Sequence, residues 1–538
     1  MRAFRVRPFI HGTLGATAAL GLASAAQAAE TPVHGGILNF VVGSTIPSYD
    51  AHQESTFGMI HPIRPFYSLL IRVDPSNPAS GKLVCDLCTT YEKAKDGMSY
   101  TFNIRQHVKF HDGTPLTAAD IKATLDKIIF PPKGVPSSRK SWYTQIASID
   151  VPSKYKVVVK MKRPLNAILP ALASPFNFVY SKKDLDEHGY SWHKTHINGT
   201  GAFIFVREEP GAFVEGKKNP NYYVKGEPYL DGFKAIQAPK MSVRLQAIRG
   251  DRAAIEFRGF PPKARDDLVH ALGNKITVQE SDWNVLMGAG PNEKIKRFQD
   301  VRVRQALAYA FDRWNGAKYL SKIAVVRTVG GIVFPGHPLA AKKKWLETLP
   351  GYGLDVKAAR AKARKLLKEA GYPHLKLTFW NRAVDQPYKA MGTWYVDQWR
   401  RIGVDADQDV VPTGPWYAGL RKTRDKDVVM DNNAQSIVNP AIDTSKWVKG
   451  GGIEYTNHQD DHVTELYLAM LTEPDPEKQY DKMRAYEKYL LGTKAIYIPG
   501  LWWYRIVPYR SYVKGWKIGP SHYLNQGLEN VWIDPKLR

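Results

Sequence analysis

The sequence predicts a mixed α/β protein with more than one domain, and three observations carry this. The chain has 538 residues, more than one hydrophobic core usually accommodates. Strand-like and helix-like segments alternate irregularly, with Pro and Gly between them. One stretch reads as a β–α–β unit: LKLTFW, then a helix, then VDADQDVV. At 43% hydrophobic and 24% charged residues, the composition is that of a folded chain rather than a disordered one.

Taken in order, the first 28 residues read as a cleaved secretory signal. MRAFRVRP is basic, GTLGATAALGLASA is short, small and apolar, and Ala26-Gln27-Ala28 fits the A-x-A cleavage pattern. The run is too short and Gly-rich for a membrane span, and no cysteine sits at the cleavage point to take a lipid. A soluble, exported, periplasmic protein is expected. Export changes the meaning of the net charge of +25. In a cytosolic chain it would suggest nucleic acid. Here the basic residues are spread out, so they read as a solvated surface or as attraction to anionic membranes or solutes, with no nucleic-acid partner.

Cys85 and Cys88 are the only cysteines. In an oxidising compartment C-x-x-C forms a local disulfide. A redox site lacks thioredoxin-like surroundings, and zinc would need histidines from elsewhere.

SYTFNIR alternates Tyr100, Phe102 and Ile104 with polar residues, as a half-buried strand does. VKFHDGTPLTAAD follows, and its His111-Asp112 pair invites a metal or acid–base reading. Asp112-Gly113 is instead a turn dipeptide, and Thr117 to Asp120 is a capping box opening a helix with Ile121, Leu125, Ile128 and Ile129 buried. Gly199-Thr200-Gly201 lacks the G-K-[ST] ending of a phosphate loop and enters a strand. Asp300 caps a helix with a Val303, Leu307, Ala310, Phe311 stripe. Val356, Ala359, Ala363, Leu366 and Ala370 line another, ended by Gly371. Met391, Trp394, Tyr395, Gln398, Trp399 and Ile402 line the helix of the β–α–β unit, ended by Gly403. Such units place ligands beyond the carboxyl ends of their strands, here the loop from Asn381 to Tyr388.

Complete catalytic sets are absent. Ser137 and Lys140 match S-x-x-K without its companion motifs, and neither G-x-S-x-G nor H-E-x-x-H occurs. His188, His193 and His196, or His458 and His462 around Asp460 and Asp461, offer metal-binding readings. A polar loop in the first case and a helix start in the second compete with them.

DGMSYTFNIRQHVKFHDGTPLTAADIKATLD resembles the signature of the family-5 extracellular solute-binding proteins of the dipeptide, oligopeptide and nickel type. NGTGAFIFVREEPGAFVEGKKNPNYYVKGEPYLDGF, FQDVRVRQALAYAFDR, AKARKLLKEAGY and QWRRIGVDAD follow in that family's order. The resemblance implies an α/β, two-lobed periplasmic-binding-protein clamshell (type II, the large multi-domain variant) with a hinge between lobes. Residues 29–281 would form the larger lobe, with a subdomain at roughly 73–190. Residues 282–498 would form the smaller lobe, and 499–538 would return to the larger. A monomer would close around a small-molecule ligand, peptide-like or another organic solute, and deliver it to the membrane permease of an ABC importer. It would need no cofactor and catalyse nothing. An exported hydrolase of peptides or cell-wall fragments, or a metal or metal-chelate receptor, are the competing readings.

In peptide-binding relatives an aspartate of the smaller lobe holds the ligand's amino group and an arginine its carboxylate. The resemblance places Gln386 at the arginine's position, with Tyr388 following, and Ser436 at the aspartate's, with Asn439 just before the shared proline. Both charged anchors are then missing, and simple dipeptides are expected to bind poorly. Arg382 meets an anionic ligand, or else it caps a loop or faces water. Trp416 falls where an aromatic packs on the ligand. Trp380 and Trp447 either join it or belong to the core, and Tyr49 is the candidate from the larger lobe. Trp502, Trp503 and Tyr504 lie near the second crossing between lobes.

Overall fold

The structure, a computed structural model, describes residues 30–538 apart from 166, 424, 435, 437, 438 and 452. The first 28 residues, expected to be a secretory signal, lie outside the described residues.

The chain is two-lobed and mixed α/β. A four-stranded sheet has the order Ile37–Val42, Gly232–Gln237, Phe213–Lys218, Phe203–Glu209. Its first pair is parallel and the others antiparallel. A second, antiparallel sheet comprises Cys88–Lys93, Ser99–Ile104, Lys156–Met161 and Ile146–Ser153. Tyr100, Phe102 and Ile104 point into its core, as their period-two spacing requires. The helix Ala118–Ile129 packs on it, opened by the predicted box: Thr117 N donates to Asp120 Oδ2 at 2.8 Å. Asp112 is likewise a turn residue, accepting from Thr114 N at 3.0 Å. Cys85 and Cys88 are joined by a disulfide, with Cα atoms 5.0 Å apart.

A six-stranded sheet runs Val326–Thr328, Ile498–Arg510, Ile276–Pro291, Val428–Ala434, Lys376–Arg382, Asp405–Val411. The last two are parallel, and the helix Ala390–Arg400 between them completes the β–α–β unit. Trp399, fully buried, packs edge-on against Phe379 and Phe311, burying the large apolar area that holds helix to sheet.

Ile276–Pro291 and Ile498–Arg510 are the long members. Their outer parts pair from Ile276 with Arg510 to Asp282 with Tyr504. The register then slips, and pairing resumes from Leu286 with Trp502 to Ala289 with Ile498. The outer parts also join the first sheet's surroundings: Phe260 N donates to Ile506 O and Arg510 N to Ala254 O, both at 2.8 Å.

Gly199 and Gly201 are required by close approach. A Cβ on Gly199 would lie 2.1 Å from the Phe66 carbonyl oxygen, and one on Gly201 would lie 2.4 Å from that of Pro65. Chain packing, not a phosphate, explains these glycines.

Candidate functional site

The parallel strands Lys376–Arg382 and Asp405–Val411 end at one edge of the six-stranded sheet, where such sheets place ligands. The helix Thr413–Lys422 starts just beyond and carries Trp416 and Tyr417. The neighbouring strand Val428–Ala434 contributes Asp431 and Asn432, and a helical turn at Thr444–Trp447 contributes Lys446. Facing them is a second wall with Ser55, Ser138, Arg139, Trp142, Phe176 and Tyr523. The walls enclose a cavity of about 40 Å³, room for about three water molecules. An organic solute enters only if the walls separate. Larger depressions of about 550 and 660 Å³ lie elsewhere. The larger sits against the helices Arg313–Leu320 and Ala390–Arg400 of one face and the other against the outer four-stranded sheet, so neither is walled from two sides like the cleft.

The cavity's polar groups are mostly donors. Arg139 is buried and gives Nη1 to Ala51 O at 3.1 Å and Nη2 to Glu54 O at 2.9 Å. Its guanidinium lies 3.9 Å from the Phe176 ring centre. Among the described residues no carboxylate stands within ion-pair distance of it. Burial pushes its pKa down to about 10, so it stays charged. Opposite, Lys446 Nζ donates to Asp431 Oδ2 at 2.6 Å and to Ile453 O at 2.9 Å. That leaves one of three ammonium hydrogens unassigned. Asp431 Oδ1 accepts from Asn432 N at 2.7 Å, so both carboxylate oxygens are engaged. Burial raises the Asp431 pKa and Lys446 opposes the shift.

Trp416 is 2% exposed, and its indole N–H has no hydrogen-bond partner among the described residues. It stacks on Trp380 at 6.2 Å and meets Tyr455 edge-on at 6.2 Å. Lys446 Nζ lies 4.9 Å from the same Tyr455 ring centre. The unpartnered indole donor and the ammonium thus flank one ring.

Of the residues singled out from sequence, Trp416 and Ser436 line the cavity. Trp380 lies behind Trp416 in one aromatic cluster. Tyr388 supports the wall from below, its hydroxyl accepting from Asn432 Nδ2 at 2.7 Å. Arg382 does not face water. It is 2% exposed and spans the walls, giving Nε to Thr413 Oγ1 at 2.9 Å and Nη2 to Thr56 Oγ1 at 2.8 Å and Ser44 Oγ at 3.3 Å. The walls also meet through Ser44 Oγ and Thr413 Oγ1 at 3.0 Å, and Tyr417 Oη donates to Ser55 O at 3.2 Å.

Three candidates lie away from the cavity. Gln386 turns its amide toward Ile323 O at 3.4 Å. Asn439 caps the short helix Pro440–Asp443, accepting from Ile442 N at 3.3 Å. Tyr49 donates its hydroxyl to Glu208 and packs on Phe205. Trp447 belongs to the core beside Tyr497. Trp502 bonds Gly331 O at 3.0 Å and Tyr504 bonds Ser321 O at 2.9 Å. The histidines do not converge either. His458 is buried against Trp447 O at 2.8 Å, while exposed His462 pairs with Glu465. His188 and His196 stack on Trp192, and His193 stacks on Tyr180.

Arg139, Asp431, Lys446 and Tyr455 are cavity residues that sequence reasoning missed. The nearest signal was the Trp447 reading, one residue from Lys446.

A two-walled cleft at the carboxyl edge of a sheet, joined by paired crossing strands, defines a periplasmic-binding-protein fold. Solved structures share it. The binding protein AgaA in complex with agropinic acid, from A. tumefaciens, is 23% identical, with a TM-score of 0.81 over 93% of this chain and 99% of that one. The binding protein DppA from Helicobacter pylori, in complex with the peptide STSA, is 20% identical, with a TM-score of 0.79 over 93% and 98%. The glutathione-binding protein GsiB of Salmonella typhimurium is 28% identical over 398 residues, 72% of each chain. Residues 82–455 match the model of the bacterial extracellular solute-binding proteins, family 5. The chain belongs to that family. It captures a small solute between two lobes for an ABC importer.

Proposed function

We propose that the solute is a compact organic acid, held in the periplasm between Arg139 of one lobe and Trp416 and Lys446 of the other. The larger lobe comprises residues 29–281 and 499–538, the smaller 282–498. The register slip after Asp282 supports a hinge there. The surplus of buried donors carries the reading. Among the described residues the Trp416 indole and one Lys446 hydrogen have no acceptor, Arg139 meets only neutral oxygens and no carboxylate, and Asp431 is already engaged. Buried donors require acceptors, and a carboxylate satisfies several at once. The aromatic lining suits the ligand's carbon skeleton. One similar protein is named for binding glutathione and another is solved in complex with agropinic acid; both ligands carry carboxylates, which supports the class. The protein acts as a monomer, binds without turnover and takes no nucleic acid.

Calorimetry and thermal shift with glutathione, alanylalanine and alanine amide test this. Ligand at a hundred times Kd stabilises by about 2.7 kcal/mol. Glutathione is expected to shift the melting transition and alanine amide not to. A response to the amide alone overturns the proposal.

A further inference from the structure

We infer that Lys446 sets the ligand's charge class by occupying Asp431, so that removing Lys446 converts the smaller lobe's wall from an anion site into an ammonium site. This rests on the organic-acid reading above.

Asp431 stands on the strand Val428–Ala434, buried and lining the cavity. By itself it would be an amine anchor, a buried acceptor aimed at the solute. The Lys446 ammonium at 2.6 Å takes its Oδ2, and the Asn432 N–H at 2.7 Å takes Oδ1. What the pair offers the cavity is therefore the ammonium's remaining hydrogen, a donor. Lys446 is itself fixed by the Ile453 carbonyl and by the face of Tyr455, so it is held in place rather than swinging in with the ligand. The indole N–H of Trp416, across the same ring, points the same way chemically. A ligand ammonium would meet two fixed donors and an acid already neutralised. A ligand carboxylate would find both donors waiting.

Without Lys446, Asp431 keeps the Asn432 bond and presents Oδ2 to the cavity. Without the Asp431 charge, Lys446 becomes an uncompensated cation. The two substitutions should move selectivity in opposite directions.

The test is calorimetric titration of the full mature chain with glutathione and with alanine amide, for wild type, Lys446→Met and Asp431→Asn, each shown folded by circular dichroism. Lys446→Met is expected to lose glutathione affinity by about tenfold or more and to gain the amide by a similar factor. Asp431→Asn is expected to tighten glutathione and to remain blind to the amide. Wild-type affinities retained in Lys446→Met for both probes overturn the inference. Should Lys446→Met fail to fold, weaker glutathione binding by Asp431→Asn overturns it instead. If wild type ignores glutathione while Lys446→Met takes up the amide, the organic-acid reading fails and the role of Lys446 stands. If wild type ignores glutathione and Lys446→Met also ignores the amide, both fail.

Discussion

Replacing Arg382 with Met tests whether this arginine clasps the lobes or grips the solute. Met keeps the apolar length that packs near Phe57 and Tyr417, whose ring centres lie 5.5 and 5.3 Å from the guanidinium carbon. It removes two bonds that cross the cleft, to Thr56 and Ser44. Hydrogen bonds from a charged donor contribute about 1.5–3 kcal/mol each. Three facts reduce the sum. The Ser44 contact is long at 3.3 Å. Ser44 keeps Thr413 at 3.0 Å, and Thr56 Oγ1 keeps the Gly58 N–H at 3.2 Å. Burying a guanidinium without a carboxylate also carries a desolvation cost that the variant escapes. A net loss of about 1.5 kcal/mol follows, roughly tenfold in the ratio of closed to open forms. Small-angle scattering of ligand-free protein should show a larger radius of gyration in the variant, and calorimetry an affinity weaker by up to about tenfold. An unchanged scattering profile with binding abolished would place Arg382 on the solute. No change in either would remove it from both roles.

Further expectations concern the cavity, the disulfide and a buried histidine. Trp416→Phe keeps the stack on Trp380 but deletes the unpartnered N–H, so affinity for a carboxylate ligand should fall about tenfold, by calorimetry; equal affinity removes the indole from ligand contact. Cys88→Ala opens a loop with a sequence separation of 3, so chain entropy predicts a loss of about 2 kcal/mol. Denaturant titration with and without reductant checks it, and a reductant-insensitive wild type refutes it. His193, 3.8 Å from Tyr180 ring to ring, has its pKa pushed down to about 3, chiefly by burial. The unfolded chain titrates near 6.5 and so binds the proton first as pH falls. The stability due to the neutral ring is complete above about pH 6.5 and lost through the window below it, about 2 kcal/mol by pH 5. His193→Phe should show a shallower fall in melting temperature between pH 6.5 and 5; an identical slope would show that His193 does not titrate there.

Much of the fold was written locally. A capping box needs only Thr117 and Asp120, three residues apart, and Asp300 likewise caps its helix through the Arg302 N–H at 2.9 Å. Gly371 and Gly403 stand at positive φ, 84° and 87°, where helices end. The cavity was less legible because its walls come from distant stretches. Arg139 sits between Ser138 and Lys140, where the sequence offered only an incomplete S-x-x-K pattern. Ser137 in fact bonds Ile128 O at 2.6 Å. Lys446 and Asp431 are unremarkable alone and acquire meaning only as a 2.6 Å pair. Trp416 was found by resemblance, whereas Gln386, two residues from Tyr388, turns away because the chain there folds back toward Ile323.

The strands Ile276–Pro291 and Ile498–Arg510 are bonded to each other on both sides of their register slip. They therefore act as one ribbon, not as two separate tethers. A ribbon bends readily across its flat face and resists being sheared in its own plane. The jaws should consequently swing about a single soft axis, and an importer that reads their angle receives a one-dimensional message: how far shut.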